Sequence, residues 1–226
     1  MKTLLTYAAG AALFALVSCG GSNDAENVDA TSNAAAETEK SGVAVNLTDG
    51  TYVIDAAAST IAWTGANITG STHQGTLTVH KGTVNVVDQA VSNGFVAVDM
   101  NTMVCTDEGL DDEGKANLIG HLKSDDFFGV EQFPYARVEL EGIKVKGDVA
   151  MGYGKIFVRE IGQPINFPVN ITVDGENIVV DAEFAFDRSK HDVKFRSGSF
   201  PDLFPDLGDK LINDEINMNV HIVASL

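Results

Sequence analysis

Only two of the 226 residues are cysteine, so the chain is not a disulfide-stapled scaffold and its fold must stand on an apolar core. Basic residues are scarce too, 15 Lys and Arg against 32 Asp and Glu, for a formal charge of −17. That balance opposes binding to nucleic acid or to anionic bilayer surfaces. Long apolar runs are missing: the longest, Leu4 to Val17, has about 14 residues, where a bilayer-spanning helix needs about 20. The sequence predicts no transmembrane helix. It also lacks a Gly-x-Ser-x-Gly elbow, a phosphate loop, a dinucleotide fingerprint and the His-Glu-x-x-His or Cys-x-x-Cys metal patterns. No catalytic residue, cofactor or metal site is therefore expected. His73, His121 and His191 have no ligand spacing, the acidic loop Thr106 to Glu113 lacks the register of a calcium loop, and Cys105 has nothing beside it in sequence to activate it as a nucleophile.

What is present begins with an export signal over residues 1–18: Lys2 as the sole charge, an apolar run, then small residues. Its end, Leu16-Val17-Ser18-Cys19-Gly20, resembles the lipobox of bacterial lipoproteins, which implies that Cys19 becomes the acylated first residue of the mature chain. Acylation would leave Cys105 without an intramolecular partner, and several acyl chains on one residue make a stable membrane anchor. Residues 19–47 are Gly, Ser, Asn, Ala, Thr and acids with no apolar period, the composition of a disordered tether. The folded domain is expected over 48–226. Gly20 directly after the cysteine resembles outer-membrane sorting, with periplasmic and surface-facing orientations both open.

The domain reads mostly as strands. Asn166 to Val173, Ile178 to Asp187 and Ile216 to Ile222 alternate strictly between apolar and polar residues. Further candidates are Thr51–Ile54, Thr60–Thr64, Thr76–His80, Thr83–Val87, Gly94–Met100, Ala136–Val145 and Ala150–Val158, separated by Gly, Asp and Asn. Only Gly114 to Asp126 looks helical, with a second short helix around Asp202 to Leu211. Many one-faced antiparallel strands with almost no helix to cover them must bury those faces on one another, as a sandwich or a closed barrel. The expectation is an all-β fold with one or two short helices.

Three stretches carry a resemblance: "GTYVIDAAASTIAWTG" (Gly50 to Gly65), "HLKSDDFFGVEQFPYARVEL" (His121 to Leu140) and "GKIFVREIGQPINFPVNI" (Gly154 to Ile171). In order and spacing they resemble the YceI-like family. The ending "GDKLINDEINMNVHIVA" is similar to the lipoprotein variety found in Bacteroidetes-type bacteria. The resemblance implies an antiparallel lipocalin-like β-barrel, exported, that binds polyisoprenoid lipid. It departs from the family pattern in "IFVREIGQPI", at Phe157 and Arg159.

On that footing Phe127 and Phe128 are expected to turn inward as a plug, with Ser124 or Asp125 capping the turn before them and Phe133-Pro134 starting the next strand. Trp63, Phe133, Phe184 and Phe186 are the other wall candidates. Arg188, Lys190, His191 and Arg196 are the candidates for an anionic head group, since cations bind phosphate oxygens by charge-assisted hydrogen bonds. Two functions stay open: a carrier with an isoprenoid or other long-chain lipid in its lumen, and a surface interaction module for a protein or glycan with a packed interior. Oligomeric state is not legible.

Overall fold

The computed structural model describes residues 47–146 and 149–226. The signal at 1–18, Cys19 and residues 19–46 of the expected tether lie outside the described residues. Leu47, at the tether's expected end, is buried in the core.

The described residues form strands β1 (Gly50–Ile54), β2 (Thr60–Asn67), β3 (Thr72–Val87) and β4 (Ala90–Cys105), then helix α1 (Asp112–Lys123). Strands β5 (Tyr135–Lys146), β6 (Val149–Val158), β7 (Ile161–Asp174), β8 (Asn177–Asp187) and β9 (Ile212–Ser225) follow. The sheet runs β3-β2-β9-β8-β7-β6-β5-β4 and closes through β3–β4 pairing. The result is a closed antiparallel barrel with eight strand positions, the lipocalin-like architecture expected. The ninth strand needs no ninth position, because β1 and β2 lie in line between β3 and β9. Val53 pairs with Thr83 and Ser225 at one end of the slot, and Ile61 pairs with Leu77 and Val220 further along. The residues between them loop out and are stitched back by Asp55 N–H donating to Val223 O at 2.8 Å and Val223 N–H donating to Ser59 Oγ at 3.0 Å.

Two expected strands are one. His80-Lys81-Gly82 reads as a break, yet β3 runs through it with a register shift between Val79 and Lys81. Gly82 makes this possible: a Cβ there would stand 2.4 Å from Phe95 O and 2.5 Å from Ile54 Cδ1, so only glycine lets the strands close at the bulge. Helix α1 starts two residues before its expected position, because Asp111 caps it by accepting from Gly114 N–H at 2.8 Å. The second expected helix is only a 3₁₀ turn at Gly208–Lys210. Pro201 and Pro205, with Asp206 and Gly208 at positive φ, interrupt any longer run.

One seam is unzipped. β7 pairs with β8 only from Val169↔Ala182 downward, although continuing that register would bring Pro168 to Glu183 and Pro164 to Asp187. Proline offers no ladder N–H, and both prolines sit in the unpaired half of β7. The gap is filled by a 3₁₀ turn at Arg188–His191. There His191 Nδ1–H donates to Ile161 O at 2.8 Å and Gln163 Nε2–H donates to Lys190 O at 3.2 Å.

Candidate functional site

Alternation along each strand sends every second side chain into the barrel. On β8 these are Val180, Ala182, Phe184 and Phe186; on β9 they are Ile216, Met218, Val220 and Ile222. Together with their counterparts around the wall they enclose a cavity of about 680 Å³. Val96, Val98, Val138, Val180 and Val220 point inward yet are only half-buried, because their free surface faces this space.

Glycines seat the aromatic wall. Trp63 lies over Gly75, where a Cβ would come within 2.6 Å of the indole. Phe167 lies over Gly152 and packs against Phe184 with centroids 4.9 Å apart. Trp63 Nε1 is buried and finds no hydrogen-bond acceptor among the described residues.

The mouth is built from α1 and two loops. Leu118, His121 and Leu122 of α1 face the cavity, as do Phe127, Phe128 and Phe195. The His121 ring stands edge-on to Phe127 at 5.0 Å and to Phe195 at 4.7 Å, a favoured aromatic geometry. The loop after α1 is held by its backbone: Phe127 and Gly129 N–H donate to Ser124 O at 3.1 and 2.9 Å, and Val130 N–H donates to Lys123 O at 2.9 Å. Gly129 takes the left-handed conformation this needs, φ 56°. The expected side-chain cap is not what forms. Ser124 Oγ instead donates to His121 O at 2.7 Å, and it is Asp126 that reaches His121, Oδ2 lying 3.3 Å from Nε2. A second clamp comes from Arg159 on the β6–β7 turn, whose Nη1 donates to Phe127 O at 2.6 Å and to Asp125 O at 3.3 Å.

Arg188 is fully buried and committed to its own chain. It donates to Val193 O at 2.9 Å, Asn213 O at 3.1 Å and Ile212 O at 3.1 Å. Asp214 Oδ1 lies 3.3 Å from Nη2, within ion-pair reach, though the angle is not that of a hydrogen bond. Burial pulls the guanidinium below its ordinary pKa, opposed by the charges of Asp214 and Asp187. His191, also buried, is pulled down by desolvation against hydrogen bonds to the carbonyls of Ile161 and Val158.

Of the residues singled out in the sequence, Trp63, Phe127, Phe128, Phe184, Phe186, Arg188 and Arg196 line the cavity. Phe133, Lys190 and His191 do not. Phe133 sits half-buried beneath the Arg159 guanidinium, 5.2 Å from ring to carbon; Lys190 is exposed; His191 fills the β7–β8 seam. Two residues at the site had little signal in the sequence. Phe195 was legible only as a neighbour of the basic run, and Lys210, which lines the mouth beside Asp209, was not legible at all. Arg196 and Lys210 both line the cavity, and their segments are tied by Ile212 N–H donating to Arg196 O at 2.9 Å. Neither cation makes an ion pair among the described residues. The three histidines weighed as ligands are apart in partners: His73 with Asp107 at 2.6 Å, His121 with Asp126, His191 with backbone. Among the described residues no group of three or more His, Cys, Asp or Glu gathers.

Comparison with known proteins adds the following. The family model for the YceI-like domain matches residues 52–224. No curated protein matches the chain. The solved structure of BcnA from Burkholderia cenocepacia is similar, with TM-score 0.59 and 16% identity, covering 76% of this chain and 99% of its own. A polyisoprenoid binding domain from Saccharophagus degradans, implicated in plant cell wall breakdown, matches with TM-score 0.57 and 12% identity over 77% of this chain and 97% of its own. At those identities the likeness to the two structures is one of fold.

Proposed function

This chain belongs to the YceI-like family, and we propose that it is a carrier holding one extended apolar chain, a polyisoprenoid tail, in the barrel lumen with an anionic head group at the mouth. The observation that carries this reading is the lumen itself. Its volume of about 680 Å³ lies within the range of small-molecule sites, and its wall is mostly aliphatic and aromatic. Burial of about 0.8 kcal/mol per methylene holds a hydrocarbon there without any specific contact. The binding named for the Saccharophagus degradans domain supports the same ligand class.

Specificity would come from the mouth, where Arg196 and Lys210 have no carboxylate partner among the described residues and Arg188 is already spent on carbonyls. The packed-interior alternative, a surface module, has the cavity against it. The reading extends to placement: acylated at Cys19, carried on an acidic tether and sorted to the outer membrane, the barrel would meet its lipid at the envelope.

The test is native mass spectrometry of the chain purified from its own type of host, with organic extraction of whatever travels with it. A stoichiometric isoprenoid is the expected result. An empty protein that added polyprenyl phosphate neither binds nor stabilises overturns the carrier reading. The double reversal Arg196→Glu with Lys210→Glu is expected to abolish the preference for polyprenyl phosphate over polyprenyl alcohol; an unchanged preference removes the head-group assignment alone.

A further inference from the structure

The lumen has a floor. The deepest residues of its wall are Val84, Val91, Ile143 and Ile222. Below them Tyr52, Ile54, Val86, Ile178 and Ala224 also point inward, but they line no part of the cavity and are 0–6% exposed. This layer does not yield easily. Tyr52 Oη donates to Thr48 O at 3.1 Å, and Ile54 occupies the hollow left by Gly82. Interiors packed at crystal density open no path for a chain to pass through.

A floor fixes a length. On β9, both Ile212 near the mouth and Ile222 near the floor face the lumen. At a rise of about 3.3 Å per residue and a strand tilt of about 40°, they are separated by about 25 Å along the barrel axis. A prenyl unit places four carbon–carbon bonds of about 1.5 Å in its main chain, an advance of about 5 Å when zigzagged. The depth therefore takes about five units. Volume gives a second measure: at about 30 Å³ for a methylene-sized group, the share a water molecule takes in its liquid, a cavity of about 680 Å³ holds about twenty-three carbons, between four and five units.

We infer that the barrel is a length gauge, accommodating a tail of four to five isoprene units; a longer tail leaves its excess carbons at the mouth, against α1 and Phe127. The inference rests on the carrier reading, since it describes what the lumen holds. Each carbon group buried strengthens binding about fourfold before ordering costs. Affinity is therefore expected to rise at least about tenfold per unit until the lumen is full. It then levels.

The experiment is a competition series on the full chain with polyprenyl monophosphates of two to eight units, read by native mass spectrometry. Tightening through four or five units followed by values within about threefold up to eight supports the gauge. Tightening that continues at the same step through eight units overturns it and leaves the carrier reading intact. Failure of every length to bind overturns both. Ile143→Trp serves as the second arm, because Ile143 is half-buried on the lumen's lower wall and a larger ring enters empty space there. The plateau is expected one unit earlier, and a plateau that stays in place with the variant folded overturns the gauge.

Discussion

Replacing Arg188 by methionine separates a residue that builds the site from one that touches a ligand. The side chain is fully buried, with its donors on the carbonyls of Val193, Ile212 and Asn213 and its charge facing Asp214. Methionine refills most of the stem volume but satisfies none of the three acceptors. Each buried group left unpaired costs about 1–3 kcal/mol. Asp214, whose side chain is 21% exposed, recovers part of its loss from water. Apolar packing by the new side chain offsets a further part, leaving a net loss of about 3–5 kcal/mol. For a domain of this size that lowers Tm by roughly 10 °C. Lysine should fare little better, since one ammonium cannot span three carbonyls held by a planar fork. The assay is urea unfolding of the wild type and both variants with a shared slope, alongside hydrogen exchange of residues 193–213. A loss below about 1 kcal/mol together with weakened binding of polyprenyl phosphate would refute the reasoning. It would mean that the guanidinium serves the ligand and the loop stands without it.

Three other perturbations follow from the same contacts. Gly75→Ala sets a Cβ 1.8 Å from Val104 O and 2.6 Å from the Trp63 ring, so it should cost about 3 kcal/mol or more. Because Trp63 is the sole tryptophan, its emission should shift as the ring is displaced; unchanged emission and stability would contradict the packing described. Arg159→Asn keeps a residue tolerant of the left-handed backbone found there, φ 50°, while deleting the clamp on Phe127 O. The expected result is a loss of about 1 kcal/mol and faster hydrogen exchange confined to residues 127–133, and uniform exchange across the barrel would speak against the clamp. His191 has its folded pKa lowered by burial, so between that value and the ordinary pKa of about 6.5 the unfolded chain binds more protons. Its contribution is complete above about pH 6.5 and is lost as pH falls toward the folded value, at no more than about 1.4 kcal/mol per pH unit. His191→Gln should flatten that part of the stability curve between pH 7.5 and 5.5, and a variant with the wild-type slope would assign it elsewhere.

Strand identity was legible because alternation survives burial. The runs at Asn166–Val173 and Ile178–Asp187 became the cores of β7 and β8. The merging of β3 was not legible, since Gly82 signals a break in the chain and only the approach of Phe95 and Ile54 shows that it permits one instead. The basic run at Arg188 to Arg196 was legible as a local reversal of charge, but the surroundings of each residue within it were not. Four cations close in sequence have four different surroundings: Arg188 under three carbonyls, Lys190 in solvent, Lys194 paired with Asp192 at 2.6 Å, and Arg196 at the mouth. Those differences arise from a 3₁₀ turn filling a seam that two prolines left open, a tertiary event with no local pattern. Lys210 was invisible for the same reason, its segment being tied to Arg196 by a backbone bond from Ile212 across the 15 residues between them.

Whether an eight-stranded barrel is hollow depends on side-chain size along its axis rather than on hydropathy. Here size is graded by register. Across the middle, Val96 pairs with Val138, Val98 with Ala136, and Ala182 with Val220, all small residues facing inward, with Gly152 and Gly154 beside them on β6. Below lie Tyr52, Ile54 and Ile178, all buried in the core. Above lie Phe127, Phe128, Phe184, Phe186 and Phe195. A vessel results when large residues close one end, small ones line the middle and aromatics ring the other end. Every one of these positions reads simply as apolar in the sequence, so packed and hollow interiors share one hydropathy pattern. Register turns it into a shape, and the shape favours a ligand: filling the middle layers with leucine or phenylalanine would bury more apolar surface at no cost to the pattern. Small residues stand where larger ones would add stability, and the lumen is open because of them.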